Sequence, residues 1–332
     1  MTAANYDVVA LGNAIMDVIA QVDDAFLVEM DIAKARMNMI DEARAEMLYQ
    51  ALPAERLETS GGSAGNTIAG LKSFGGSGAY MGKVADDEIG AAYVADMARI
   101  GVPFFGAPLK NGVATARSMI AVTPDGERSM NTYLGASTEF SADDVVQDVI
   151  QSAQWLYLEG YLFDKPAAKA AFVRASEIAA AADRKVAITL SDVFCVERHR
   201  EAFLHLVRTH VDLVFANEAE LLSLYESDDF DAAIDALRKD TSLAAITRSE
   251  KGSVIIDGDD TWSVTTPQVD RLVDATGAGD QYAAGFLYGI THGFSAGDSA
   301  RLGHIAAAEV ISHYGPRPET SLADLAKSEG LL

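Results

Sequence analysis

The middle of the chain alternates short apolar runs with longer amphipathic or alanine-rich segments. The runs have the length and composition of buried strands, and the segments between them favour helix. Near-continuous apolar strands separated by helices are typical of an α/β fold whose parallel sheet is covered on both faces. The predicted strands are 155–158, 186–190, 211–215 and 244–247, and the predicted helices are 166–182, 197–208, 218–225 and 230–239.

The N-terminal third has strand-like segments without long helices between them, at 18–22, 36–40, 114–123 and 128–134. The sequence Pro-Asp-Gly-Glu at 124–127 is typical of a tight turn, so the last two segments predict a β-hairpin. We therefore expect one α/β domain over residues 1–332 that carries a small β-rich lid. The lid is expected to consist of inserted segments at about 17–41 and 106–136.

Composition narrows the range of partners and compartments. The chain has 26 Lys and Arg against 49 Asp and Glu, and the formal charge of −23 argues against nucleic acid or an anionic membrane as a partner. Its one cysteine, Cys195, excludes an internal disulfide framework. A secretory signal needs a basic start, but the first basic residue of this chain is Lys34. The apolar stretch 8–20 is interrupted by Asn13 and Asp17, so it is too short and too polar to span a bilayer. We expect a cytoplasmic protein.

A glycine-rich segment with the sequence Asp-Ala-Thr-Gly-Ala-Gly-Asp occupies residues 274–280, directly before a predicted helix. Glycines at a helix start let backbone N–H groups converge, and these donors form an anion site with the positive helix end. Asp280 falls in the first helical turn, where its carboxylate can accept a proton from a substrate hydroxyl. Taken alone, a plain helix start with an acidic dipole partner is the simpler interpretation.

Two further clusters contain polar residues that suit a sugar. Residues 61–66 read Gly-Gly-Ser-Ala-Gly-Asn, and the amide of Asn66 can both donate to and accept from a hydroxyl. Asp17 closes the cluster 12–17, after the strand 8–11, and its carboxylate can accept from two neighbouring hydroxyls of a ribose. Taken alone, the cluster 61–66 is better explained by a loop and helix cap, and the cluster 12–17 by a solvated Asp in a turn.

Together and in this order, the three clusters resemble the ribokinase (PfkB-type) carbohydrate kinase family over almost the whole chain. The segments 215–220, with its Asn-x-x-Glu pattern, and 302–308 resemble the same family, and within it the chain is most similar to the adenosine kinases. The resemblance implies a ribokinase-like three-layer αβα sandwich with a mostly parallel sheet and a lid. It also implies ATP and Mg²⁺ as cofactors.

The resemblance further implies a role for each matching residue. Asp280 is the expected catalytic base, and the backbone of Gly277, Ala278 and Gly279 the expected anion hole. The residues expected to bind the acceptor are Asn13, Asp17, Gly62, Asn66, Leu134 and Ala136, the last two lining a base pocket. The residues expected to bind ATP or, through water, Mg²⁺ are Asn217, Glu220, Thr247, Gly252 and Arg128.

Several of these assignments have alternatives. Asn217 and Glu220 can be a simple helix cap, Arg128 a solvated turn charge, and Tyr161 and Leu162 either pocket or core residues. Residues 247–252 resemble the family's loop on the nucleotide side, and Ser249 stands where a glycine is usual in that loop. By analogy, a monovalent cation (K⁺) could bind near Asp274 and Thr276, and Met37 and Met39 stand where adenosine kinases carry glutamine and leucine.

The function expected from this resemblance is transfer of the ATP γ-phosphoryl group to a primary hydroxyl, most simply the 5′-hydroxyl of adenosine. One alternative is a sugar kinase for ribose, fructose or a related acid. Another is a non-catalytic ligand-binding protein, although the presence of Asp280 counts against it. The expected partner is a small nucleoside or sugar. An uncovered lid strand could pair with a neighbouring copy, so an oligomer and a monomer are both alternatives.

Overall fold

The computed structural model describes residues 4–110 and 112–332. Its strands are β1 Tyr6–Leu11, β2 Ile15–Gln21, β3 Met37–Met39, β4 Leu57–Gly61, β5 Gly78–Met81, β6 Phe104–Phe105, β7 Ala116–Val122, β8 Arg128–Tyr133, β9 Ala153–Glu159, β10 Lys185–Thr189, β11 Leu213–Asn217, β12 Leu243–Thr247, β13 Ser253–Asp257 and β14 Asp260–Val264. Its helices are α1 Asp24–Glu29, α2 Glu42–Ala51, α3 Ser63–Ser73, α4 Glu88–Arg99, α5 Gln147–Gln151, α6 Pro166–Ala181, α7 Val193–His210, α8 Glu218–Leu224, α9 Phe230–Asp240, α10 Ala278–Thr291, α11 Ala296–Val310 and α12 Leu322–Ser328.

The larger sheet has the strand order β14-β13-β12-β11-β10-β9-β1-β5-β6. All neighbouring pairs from β12 to β6 are parallel, and β13 and β14 extend the sheet as antiparallel strands. In a parallel sheet the carboxyl ends of the strands lie along one edge, where open α/β sheets bind their ligands. The loops after β1, β9, β11 and β12 therefore face one cleft.

Alternate residues of the central strands lie in two separate hydrophobic clusters, one on each face of this sheet. Leu156 and Leu158 of β9 pack with α6 to α9, whereas Tyr157 packs with α3, α4, α10 and α11. This alternation follows from the two-residue period of a strand, with both faces covered by helices. The predicted three-layer αβα sandwich with a mostly parallel sheet is confirmed.

The smaller sheet has the order β3-β8-β7-β2-β4. β7 and β8 form the predicted antiparallel hairpin, and Val122 pairs with Arg128 at its closed end. β4 also belongs to this sheet, although residues 57–61 lie outside the segments predicted for the lid. The smaller sheet follows directly from β1, because only residues 12–14 separate β1 from β2. Within the described parts of the chain, no helix is both long and apolar enough to cross a membrane.

Candidate active site

The start of α10 presents unpaired backbone donors to an open space. In the described chain, the N–H groups of Gly277, Gly279 and Asp280 have no acceptor, whereas that of Ala278 donates to the carbonyl of Ala275 at 3.3 Å. Gly277 adopts a left-handed φ of 81°, and a Cβ there would lie 2.6 Å from the Cα of Pro316. Gly279 has no neighbour within 4 Å of an added Cβ. These donors and the helix dipole together favour an anion at this position.

The carboxylate of Asp280 lies beside these donors and is held by two side chains of α3. Its Oδ1 accepts from Ser63 Oγ at 2.6 Å, and its Oδ2 accepts from Asn66 Nδ2 at 3.2 Å. Burial raises the pKa of Asp280 to about 6, against the opposing effect of these two hydrogen bonds. The side chain can therefore exchange a proton close to neutral pH.

Asp17 of β2 is the second carboxylate of this cluster. It is buried, and no described side chain or backbone group donates a hydrogen bond to its carboxylate. Burial raises the pKa of Asp17 to about 6, while Arg317 and Arg128 lower it and Asp280 raises it. A Cβ at Gly61 would lie 2.3 Å from Asp17 Oδ2, so a glycine at 61 leaves room for this carboxylate.

Asn13 follows β1 and is fixed by a residue that the sequence interpretation missed. Glu159, at the end of β9, accepts from the side chain of Asn13 at 2.9 Å, from its backbone at 3.2 Å, and from the backbone N–H of Ala64 at 2.8 Å. Burial raises the pKa of Glu159 to about 7 despite these hydrogen bonds. The buried Asn13 Oδ1 has no partner among the described residues, so this acceptor is available to a hydroxyl.

Gly62 and Asn66 lie on the same side of the cleft. Gly62 precedes α3 with a φ of 87°, and a Cβ there would lie 2.1 Å from the carbonyl oxygen of Asn13. Asn66 joins Asp280 to Arg317, whose Nε lies 3.3 Å from Asn66 Oδ1. The structure therefore brings Asn13, Asp17, Gly62, Asn66 and Asp280 into one cluster.

The residues predicted for the nucleotide lie at the ends of β11 and β12. Asn217 pairs with Thr247 across these two strands. Asn217 and Glu220 form a reciprocal capping box on α8, and burial raises the pKa of Glu220 to about 7. Gly252 has a φ of 85°, and a Cβ there would lie 2.0 Å from the carbonyl oxygen of Val264. Asn217 and Glu220 therefore do cap α8, and the role of these residues, Thr247 and Gly252 in binding the nucleotide stays a prediction.

Arg128 is buried rather than solvated, and the turn-charge alternative for it is wrong. Its Nη1 lies 2.5 Å from Asp274 Oδ2, beside the loop that leads into α10. Asp274 also accepts from the backbone N–H groups of Thr276 at 2.9 Å and Gly315 at 3.0 Å. Arg128 therefore links the smaller sheet to the anion site.

The residues predicted for a base pocket differ in exposure. Leu134 is partly exposed, whereas Ala136 has no accessible surface, and its backbone N–H donates to the carbonyl of Ala114 at 2.9 Å. The assignment of Leu134 and Ala136 to a base pocket stays a prediction. Leu162 is a core residue, whereas 36% of Tyr161 is exposed.

The chain is similar in sequence and in fold to known kinases. A family model described as pfkB family carbohydrate kinase matches residues 7–322. The chain is 51% identical to an adenosine kinase from Sinorhizobium meliloti, with a TM-score of 0.89 and coverage of 98% of this chain and 100% of that one. It is 48% identical to a probable sugar kinase from Rhizobium etli, with a TM-score of 0.90 and coverage of 99% and 100%. It is 27% identical to the adenosine kinase of Saccharomyces cerevisiae over 93% of this chain and 95% of that protein.

Proposed function

Because the chain belongs to the pfkB family of carbohydrate kinases, we propose that it transfers the γ-phosphoryl group of ATP to the 5′-hydroxyl of adenosine. The kinase family follows from the match over residues 7–322, and the choice of adenosine rests on the similarity to adenosine kinases from Sinorhizobium meliloti and Saccharomyces cerevisiae. Phosphoryl transfer requires little covalent chemistry from the protein. The residues of the site must therefore supply positioning and charge stabilisation.

The observation that carries this proposal is the carboxylate of Asp280 next to the unpaired N–H groups of Gly277 and Gly279. With a pKa of about 6, Asp280 is mostly ionised at neutral pH and can take the proton of an acceptor hydroxyl. The N–H groups would stabilise the negative charge of the phosphoryl group as it moves to that hydroxyl.

The acceptor side of the cleft suits a ribose. Asp17 carries a carboxylate without a hydrogen-bond donor, and Asn13 carries a free Oδ1, so two neighbouring hydroxyls would each find an acceptor in the part of the chain described. Asn66 offers its amide beside them. A ribose held by its 2′- and 3′-hydroxyls would leave the 5′-hydroxyl free to face Asp280.

For the nucleotide, we propose that Thr247 and Gly252 contact ATP and that Asn217 and Glu220 orient the waters of Mg²⁺. The Glu220 carboxylate already accepts from Asn217, and the described residues contain no group of three or more His, Cys, Asp or Glu that could hold a metal. Mg²⁺ that keeps several waters fits such a site, whereas a fully protein-coordinated ion does not. When bound, Mg²⁺ would neutralise charge on the phosphates. The monovalent cation near Asp274 and Thr276 stays a prediction, and in this structure Asp274 is paired with Arg128.

We further propose that the smaller sheet acts as the lid of this single domain. Its strand β2 carries Asp17 and its strand β8 carries Arg128, so closure would bring both towards the bound substrates. A closed lid excludes water, which otherwise competes as phosphoryl acceptor.

An acceptor panel tests the proposal. ADP release is measured with Mg·ATP and adenosine, other nucleosides, ribose, fructose or a sugar acid, and ³¹P NMR identifies the phosphorylated carbon. We expect the highest kcat/KM with adenosine and a 5′-phosphate as product. A preference for a free sugar would support the sugar-kinase alternative, to which the exposed Met37 and Met39 on edge strand β3 lend weight. No release with any acceptor would favour a non-catalytic binding protein.

A further inference from the structure

Arg317 lies after α11, in a segment to which the sequence interpretation gave no role. Its guanidinium reaches the acceptor side of the cleft and is largely buried, with 17% of the side chain exposed. Nη2 donates to Ser60 Oγ at 2.9 Å, and Nε donates to Asn66 Oδ1 at 3.3 Å. Nη1 lies 3.6 Å from Asp96 Oδ2, and Asp96 in turn accepts from the backbone and side chain of Ser60.

The contact with Asn66 determines which way that amide points. A guanidinium can only donate, so the atom of Asn66 that faces Arg317 must be its oxygen. The amide nitrogen is then directed to Asp280 Oδ2, at 3.2 Å. A flipped amide would set an N–H against Arg317 and an oxygen against the carboxylate. Arg317 therefore specifies the hydrogen bond that Asp280 receives.

Arg317 is also one of two cations beside Asp17. The charged groups that shift the pKa of Asp17 are Arg317, Arg128 on β8 and Asp280 on α10. The charge of Asp17 in turn raises the pKa of Tyr93 on α4. Of the influences that lower the pKa of Asp17 against the effect of burial, Arg317 is the largest. Loss of this charge would therefore favour protonation of Asp17, the residue proposed to bind the hydroxyls of the substrate.

The backbone next to Arg317 is tied to the anion site. The N–H of Gly315 donates to Asp274 Oδ2 at 3.0 Å, and the carbonyl of Pro316 accepts from Gln281 Nε2 at 2.8 Å. The segment 315–317 thus contacts the start of α10 through its backbone and the acceptor side through its one charged side chain. The position of the guanidinium is fixed relative to Asp280.

We propose that Arg317 is a positioning residue for the reaction: it orients the Asn66 amide towards Asp280, and it places a positive charge beside Ser60, next to the glycine at 61 that borders the Asp17 carboxylate. This inference rests on the proposed kinase function for its kinetic consequences. Arg317 itself does not touch the reacting atoms in this account, because both of its effects act through other side chains.

Two substitutions separate the charge from the hydrogen bond. Arg317→Gln removes the charge, and Arg317→Lys keeps it but does not reproduce the guanidinium geometry. For Arg317→Gln we expect the KM of the acceptor to rise about tenfold and the acid limb of kcat/KM for the acceptor to move up by about one pH unit. For Arg317→Lys we expect a lower kcat with the acid limb unmoved. The matched control is Arg301→Gln, on the exposed side of α11, which should change none of these.

A carboxylate titration gives a readout that does not depend on turnover. With ¹³C-labelled aspartate, and Asp17→Asn to assign the signal, we expect the midpoint of Asp17 to be higher in Arg317→Gln than in the wild type and unchanged in Arg317→Lys. An unmoved midpoint in Arg317→Gln, or wild-type kinetics in both variants, would overturn the inference. If the wild type phosphorylates no acceptor, the proposed function fails while the titration still decides the charge assigned to Arg317.

Discussion

Nη1 of Arg128 lies 2.5 Å from Oδ2 of Asp274, and both side chains are less than one-tenth exposed. The pair joins β8 of the smaller sheet to the loop that leads into α10. Burial raises the pKa of Asp274, but the hydrogen bonds from Thr276 and Gly315 and the charge of Arg128 outweigh it, so the pKa is lowered overall. A buried, hydrogen-bonded ion pair thus joins the smaller sheet to the loop before α10.

Replacement of Arg128 should cost far more stability than replacement of a surface cation. Arg128→Ala leaves the Asp274 charge buried without its cation, and we expect the free energy of unfolding to fall by about 3–5 kcal/mol. The control is Lys185→Ala, because Lys185 pairs with Asp212 while 59% of its side chain stays exposed. That variant should lose less than about 1 kcal/mol. Urea denaturation of both proteins measures the difference, and equal losses would contradict this account.

Asp280→Asn tests the proposed base. Burial already disfavours the ionised form of Asp280, so removal of its charge should leave the fold intact. We expect kcat to fall about 10²–10⁴-fold, the usual contribution of a general base. In the wild type, kcat should decline as the pH falls through about 6, since protonated Asp280 cannot accept a proton. Steady-state ADP release and a thermal melt measure both properties, and near-wild-type kcat in a folded variant would refute the role.

The residues that sequence reasoning found share a local signal. Asn13, Asn66 and Asp280 each stand next to glycines at a strand end or helix start, where the chain must approach a ligand closely. Glu159 has only the weaker signal of one charge after the apolar run 155–158. Arg317 has none, because its partner Asn66 lies 251 positions away and only the tertiary fold brings them together.

The smaller sheet was predicted less completely for a similar reason. β4 reads Leu-Glu-Thr-Ser-Gly, which lacks the apolar alternation of a half-buried strand. It becomes a strand because Ile15 to Ile19 of β2 offer it an edge to pair with. The burial of Ala136 likewise depends on how the segment after β8 packs, which one sequence does not specify.

Asp17→Asn should make the protein more stable above neutral pH. The folded pKa of about 6 exceeds the ordinary 3.8, so the folded state holds this proton more tightly than the unfolded state does. The stabilisation from this proton is therefore fully present below pH 3.8 and is lost as the pH rises through about 6. We expect Asp17→Asn to gain on the order of 2 kcal/mol at pH 8 and nothing at pH 4.

Chemical denaturation at the two pH values measures this effect, and Asp324→Asn on the exposed surface of α12 is the control. A gain at pH 8 that is equally large at pH 4 would show that the carboxylate charge is not its cause. Asp17→Asn should also bind the nucleoside or sugar substrate poorly, because the carboxylate that is costly to bury is the group proposed to accept hydrogen bonds from the substrate's hydroxyls.

Ser249 gives the last prediction, because it has a left-handed φ of 51° in the loop between β12 and β13. A side chain in this region costs about 1–2 kcal/mol, whereas glycine adopts it freely. We expect Ser249→Gly to raise the free energy of unfolding by about 0.5–1 kcal/mol, the remainder being offset by the greater freedom of glycine in the unfolded chain. The control is Ser263→Gly in β14, where the backbone is extended and glycine should destabilise by a similar amount. Urea midpoints that shift in the same direction for both variants would show that backbone strain at Ser249 is not what the substitution relieves.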